Sequence, residues 1–150
     1  MAGLVDLALS STVMLGIMAV YGYYPTWRMM LIPPFVLLAI GTAIGVGAWL
    51  SALNVKYRDV RFAVPFLLQL WLFASAVFYV TAALHLQEPW KTLFWLNPVA
   101  VAVEGWRWAL LGGPHMTYWQ VALGTLSGLV ILAAGVVYFR RKEREFADIV

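Results

Sequence analysis

The sequence predicts an all-α integral membrane protein: four transmembrane helices with a re-entrant helical hairpin between the third and the fourth. Three observations carry this. First, 63% of the 150 residues are hydrophobic and 11% are charged, more apolar surface than a soluble chain of this length can fold away. Second, the apolar residues form long continuous runs, whereas a transmembrane barrel would show short alternating segments. Third, the cations cluster beside those runs, where membrane orientation places them. The net charge of +3 is therefore a topology signal and not a nucleic-acid footprint. Residues 1–150 read as a single transmembrane domain, with spans at about 7–27, 33–53, 62–84 and 118–139 and the hairpin at about 88–111.

The stretch Leu53–Val80 organises the rest. A basic knot of Lys56, Arg58, Asp59 and Arg61 opens directly into 23 residues without a charge, Phe62–Leu84. At ~1.5 Å per residue these give roughly 35 Å of helix, enough to cross a ~30 Å hydrocarbon core. The knot fixes one end of this third span at a membrane surface.

The 21 charge-free residues Leu7–Trp27 predict the first span. Ser10, Ser11 and Thr12 inside it are expected to bond back to their own backbone. Tyr21, Tyr23, Tyr24 and Trp27, with Arg28, mark an interface, since amphipathic rings and a snorkelling arginine favour headgroup depth. Pro33–Pro34 opens the second span, because a first helical turn does not need the missing N–H. Gly41 and Gly45, followed by Ala48 and Ala52, make a small-residue stripe. Close packing, within the chain or with a second copy, is the plain reading; a substrate groove is the sharper one. In the 54–61 loop, Asp59 is placed to cap the third helix and to pair with Arg58 or Arg61. Pro65 sits near the first turns of that helix. Gln69 is an amide at membrane depth, where it either bonds another helix or lines a pathway.

Residues 85–116 decide the topology. Asn97–Pro98 is a helix start, with Asn as cap and Pro at the first position. Gly112–Gly113–Pro114 is a stop. The 14 residues between, 98–111, make roughly 21 Å, too short to span comfortably. Glu88–Pro89 opens a shorter helix ending near Leu96. The 54–61 loop carries three Lys/Arg and the tail four: Arg140, Arg141, Lys142 and Arg144. If 98–111 spanned, these clusters would lie on opposite faces. A re-entrant hairpin puts both on the cytoplasmic side, as the positive-inside rule prefers. Both termini are then cytoplasmic, and the Tyr21–Arg28 region and the hairpin lie outside. Tyr118–Phe139 is the fourth span, with Gly124 and Gly128 again at packing spacing. The tail RRKEREFADIV anchors topology, or docks a soluble partner.

No catalytic or metal site is expected, and the chain does not read as an enzyme. There is no cysteine, Walker loop, zinc-type His pair or G-x-S-x-G elbow. His85 and His115 flank the hairpin as interfacial residues. Glu104 and Arg107, three apart on one helical face, are the leading polar constellation. They either hold the hairpin together as an ion pair or guide a polar substrate at the outer mouth. The aromatics Trp71, Phe73, Phe78, Tyr79, Trp90, Phe94, Trp95, Trp106 and Trp108 crowd this half, as interface belt and core or as faces on which sugar rings stack.

The segments LNVKYRDVRFAVPFLLQLWLFASAVFY, LNPVAVAVEGWRWALLG and YFRRKEREFADIV together resemble the permease subunit of ABC-2 type transporters, closest to the branch exporting polysaccharide, O-antigen and teichoic-acid-like polymers. Tyr57–Arg58–Asp59, Asn97–Pro98 with Glu104 and Arg107, and Phe139–Arg140–Arg141 with Phe146–Ala147–Asp148 carry it in order and spacing. The resemblance implies a multi-pass permease of the bacterial cytoplasmic (inner) membrane, working as a homodimer with a separate ABC ATP-binding subunit. ATP and Mg would be bound by that partner and no cofactor by this chain. Polysaccharide would be the substrate and membrane lipid the surroundings. The candidate pathway residues are Gln69, Trp71, Phe78, Tyr79, Trp95, Asn97, Glu104 and Arg107, and the resemblance implies that the hairpin lines the pore exit. The implied partner contacts are Lys56, Tyr57, Arg58, Asp59 and Arg61. Ala76 and Val80 depart from the family pattern, which often has proline there. Members also carry an amphipathic helix, two further spans and a coupling helix before the part that resembles this chain. A C-terminal portion of a permease is therefore expected: a fragment, a truncated product or one part of a split subunit. An ABC-2 permease for a drug or lipid, and an inactive membrane scaffold, are the alternative readings. A membrane enzyme acting on lipids is disfavoured by the missing catalytic cluster.

Overall fold

The computed structural model describes residues 2–23, 26–57, 59–75, 77–78, 89–112 and 116–147. Among them there are helices and no strands. α1 is Ala2–Val20, α2 Ile32–Lys56, α3 Val60–Ala74, α4 Trp90–Trp95, α5 Pro98–Leu111 and α6 Tyr118–Ala147, with a short 3-10 turn at Trp27–Leu31 before α2. The stretches Trp27–Val55 and Tyr118–Glu143 are long and apolar enough to cross a membrane, yet little of either is buried within the chain. Apolar helices with so much open surface need an apolar surrounding.

The first helix ends earlier than the charge-free run does. Gly22 adopts a left-handed backbone, φ 75°. Tyr23 N donates to Met18 O at 2.9 Å and Gly22 N to Ala19 O at 3.2 Å, a Schellman end that stops the helix before Trp27. Within α1, Thr12 Oγ1 donates to Ala8 O at 2.8 Å. Met18 is buried, whereas Val5, Leu9, Val13, Ile17 and Val20 are exposed.

α2 and α6 form the frame. A Cβ added at Gly45 would lie 2.7 Å from Leu132 Cα and 2.8 Å from Ile131 O. One added at Gly135 would strike the carbonyl of Gly45, and one at Gly128 would come 2.6 Å from Leu38 Cδ1. Only glycine permits this approach of two backbones. The pairs also fix direction: Leu38 meets Gly128 and Gly45 meets Gly135, so α2 and α6 run parallel. Their C-termini, and therefore the 57–61 loop and the Arg140–Arg141 turn, lie at the same end. Thr42 is buried at this crossing and donates its hydroxyl to Leu38 O at 2.7 Å.

α5 packs at the opposite end, antiparallel to both. Pro98 lies against Gly128, Val101 against Gly124, the Phe35 ring against Gly105 and Arg28 beside Gly112. Ala100, Val101, Ala102 and Ala109 are buried there. Gly128 is ten residues into α6, so α5 begins roughly 15 Å below that helix's first turn. α6 opens on the glutamine half of a capping box: Thr117 N donates to the buried Gln120 Oε1 at 2.8 Å, while Gln120 N donates to the Thr117 backbone carbonyl at 2.9 Å. At its other end α6 continues as helix through Ala147, so most of the charged tail is helical.

The third span differs from expectation. Its helix runs Val60–Ala74 with Pro65 inside, ends in a turn at Ser75, and bends at Val77 and Phe78. The continuation expected to residue 84 lies outside the described residues from 79 on. Asp59 occupies the N-cap position, but its side chain makes no capping hydrogen bond. Arg61 instead holds its guanidinium 5.3 Å from the centre of the Phe62 ring.

The two glycines Gly45 and Gly47 separate packing from propensity. Gly47 has open space where a Cβ would go. Gly47→Ala should stabilise by about 0.5–1 kcal/mol through helix propensity. Gly45→Ala should destabilise by about 1–3 kcal/mol through overpacking. Thermal unfolding in detergent, followed by helical circular dichroism, should show opposite shifts in Tm; equal shifts would sink the backbone-contact account.

Candidate functional site

Polar groups are scarce in this chain, and three of them, Trp71, Ser75 and Asn97, converge where α3 ends and α5 begins. Asn97 is the N-cap of α5: its backbone is extended and its Oδ1 accepts from Val99 N at 3.1 Å. The same oxygen accepts from Trp71 Nε1 at 3.2 Å. The amide Nδ2 donates to Ser75 Oγ at 3.0 Å and to Ala74 O at 3.3 Å. Ser75 in turn donates to Trp71 O at 2.8 Å. One asparagine thus caps α5 and ties it to the last turn of α3. It explains why α3 stops: Ser75 finds local and cross-chain partners that compete with a continuing helix. Ser75 is itself buried, with 1% of its surface exposed.

A second polar group sits higher on α5. Arg107 Nη1 donates to Glu104 Oε1 at 2.8 Å, with side-chain exposures of 24% and 14%. Removing either charge would leave the other poorly solvated, which costs several kcal/mol where water is excluded.

Arg28 forms the third group. The sequence places it snorkelling at an interface, but the structure turns it inward. Its guanidinium stands 5.5 Å from the centre of the Trp108 ring, and a Cβ on Gly112 would come 3.5 Å from its Nη1. Arg28 Nε is buried without a hydrogen-bond partner among the described residues. The aromatic face and the negative end of the α5 dipole both favour a cation there.

The expected pathway residues do not all share one surface. Trp71, Asn97 and, one helix further up, Glu104 and Arg107 belong to the α3–α5 line. Gln69 is exposed and lies about 200° around α3 from Trp71, on the opposite side. Phe78 is exposed and leans on Phe73, ring centres 5.5 Å apart. Trp95 is buried and meets Phe94 edge to face at 5.3 Å, so it holds the hairpin rather than presenting a wall. Tyr79 and Arg58 lie outside the described residues, and the side chain of Lys56 does also. Tyr57, Asp59 and Arg61 are exposed at the end shared with the α6 tail. Sequence reasoning missed Ser75, Gln120 and Gly135. The T-x-x-Q spacing of Thr117 and Gln120 was a readable signal for one of them.

Helical architecture and open apolar spans fit an α-helical membrane protein, and the comparisons give the family. A family model described as ABC-2 type transporter matches residues 2–111, and the chain belongs to that family. It is 29% identical over 147 residues to the O-antigen export system permease protein RfbA of Myxococcus xanthus, covering 97% of this chain and 56% of that protein. It is 24% identical over 140 residues to a protein of the same name from Klebsiella pneumoniae, covering 91% of this chain and 52% of the relative. The chain thus spans about half the length of the curated relatives it matches, aligning with a C-terminal portion of them. No solved structure matches it.

Asn97→Ala should lower stability by about 2–3 kcal/mol, because it removes a helix cap and strands the buried Ser75 and Trp71 groups. Asn97→Asp, which keeps the cap oxygen and loses the amide donor, should fall between. Urea or thermal titration in detergent ranks the three; an alanine variant as stable as the parent would dismiss the knot.

Proposed function

We propose that this chain is the membrane-spanning permease part of an ATP-driven exporter of polysaccharide or lipid-linked polysaccharide. The observation that carries the reading is the match to two O-antigen export permeases across more than nine-tenths of this chain. Two copies would enclose the pore. A separate ABC subunit would bind ATP and Mg and supply the energy. The exposed loop with Tyr57, Asp59 and Arg61 would face that subunit.

The topology proposed is four spans with a re-entrant hairpin, in the bacterial inner membrane with the C-terminus cytoplasmic. Parallel α2 and α6 support it, because they put both basic clusters at one end of the bundle. The position of Pro98 against Gly128 supports it too: α5 starts part-way down α6 and climbs back toward Arg28, without reaching the basic end. Trp71 and Asn97 would then sit at the inner limit of the outward mouth, with Glu104 and Arg107 above them. A paired carboxylate and guanidinium beside indole faces suits a hydroxylated sugar chain, which takes hydrogen bonds at its rim and stacking on its ring face.

Deleting the chain from its native host should abolish surface polysaccharide while lipid-linked polymer accumulates inside; unchanged surface polymer would favour a drug or lipid permease instead. Single cysteines at Gly112 and Glu143 should react with impermeant maleimide from opposite sides of the membrane. Labelling of both from one side would sink the re-entrant hairpin.

A further inference from the structure

Below the Asn97 knot the bundle is open. α3 packs sparsely on α2, and none of its residues is buried. Between α2, α3 and α6 this leaves a slot of about 500 Å³ with almost no polar surface. Gly45 and Trp49 line it from α2, Leu68 and Trp71 from α3, Ala134 and Tyr138 from α6. The volume falls within the range of built ligand sites. An apolar slot of this kind does not hold ordered water. Trp71 closes its inner end, with the indole N–H already committed to Asn97.

The other end carries charge. Arg61 is seven residues before Leu68 on α3, two helical turns nearer the basic end and on the same face. Arg141 is seven residues beyond Ala134 on α6, again two turns along the same face. Parallel α2 and α6, with α3 running back beside them, bring both cations to one end of the slot. Both are exposed. An apolar shaft opening toward two guanidinium groups has the form of an amphiphile with a long hydrocarbon chain and an anionic head. A purely apolar protein helix would leave the cations unused.

We propose that this slot binds one anionic glycerophospholipid of the cytoplasmic leaflet, with an acyl chain between α3 and α6 and its phosphate at Arg61 and Arg141. The proposal rests on the membrane-spanning reading above and goes beyond it, since this lipid is a resident of the bundle and not cargo. Its role is mechanical: it supplies the packing that α3 lacks against α6, so α3 stays upright between its two anchored ends.

The test is photo-crosslinking in vesicles of equimolar phosphatidylcholine and phosphatidylglycerol, with a diazirine on the acyl chain of one lipid at a time. Phosphatidylglycerol should label Leu68 and Ala134 in excess over phosphatidylcholine, while the outward-facing Leu129 should label equally with both. Ala134→Phe, which fills the slot, should remove the labelling at Leu68 and leave that at Leu129. The double variant Arg61→Gln, Arg141→Gln should lower the phosphatidylglycerol preference roughly thirtyfold, given the attraction of each cation to anionic lipid. Helical circular dichroism on the same samples identifies any variant that has unfolded. Equal labelling by the two lipids at Leu68, or Leu68 shielded by another polypeptide cross-linked there, would overturn the lipid site and leave the spanning reading intact. No labelling on any helix would overturn both.

Discussion

The close crossing of α2 and α6 is the constraint on which the rest depends. Gly45 and Gly135 put the two backbones in contact, and Gly128 lets Leu38 and Pro98 meet at the same level. In an apolar solvent there is no hydrophobic gain from pressing two helices together. Close van der Waals approach must supply the attraction, and small residues are what make it available. The crossing sets direction as well as distance. Because the pairs ascend together along both helices, the segment between them must leave one end and return to the other. α3 leaves from the basic end, and α5 packs against the other end of the α2–α6 pair.

That geometry gives Asn97 its importance. Two helix ends meeting at membrane depth would expose a row of carbonyls from α3 and a row of N–H groups from α5, each expensive to leave unmet. Asn97, Ser75 and the Trp71 indole answer several of them with a handful of atoms. The break between α3 and α5 is therefore built, not frayed. Arg28 against Trp108 does the corresponding work at the far end of α5, where the last carbonyls carry the negative end of the helix dipole. Glu104 and Arg107 pair along α5 itself between these two fastenings, so α5 is held at its top and base.

What was legible in the sequence was what is local. The ends of α5 coincide with Asn97–Pro98 and Gly112 because caps are decided within a few residues. The start of α2 at its proline pair follows for the same reason. The end of α3 was not legible, since Ser75 takes its partner from 22 residues further on and the hydropathy there stays high. Gly22 interrupts a charge-free run that looks continuous, and only its positive φ reveals the stop. The packing glycines were visible as a spacing, but Gly135 was overlooked because its significance lies in a carbonyl 90 residues away. Of the polar residues suspected of lining a path, Gln69 and Trp71 fail to share a face, as two positions separated by two residues on a helix must.

Packing is distributed unevenly along the bundle, and the distribution has a consequence. At the end away from the basic loop, α2, α5 and α6 interlock with buried alanines and glycines. At the basic end α2 and α6 still touch, but α3 packs sparsely and none of its residues is fully buried. Displacing a helix costs the contacts it gives up, so the cost is high for α5 and low for the lower part of α3. α3 is also the helix whose first turn adjoins the exposed basic loop and whose last turn is bonded to the cap of α5. The basic loop and the cap of α5 are therefore joined through α3 and Asn97, a single side chain shared by both helices. Rigid frame, loose rod and hydrogen-bonded joint are each simple consequences of where glycine, serine and asparagine fall in the chain, and together they link the basic end of the bundle to the far one.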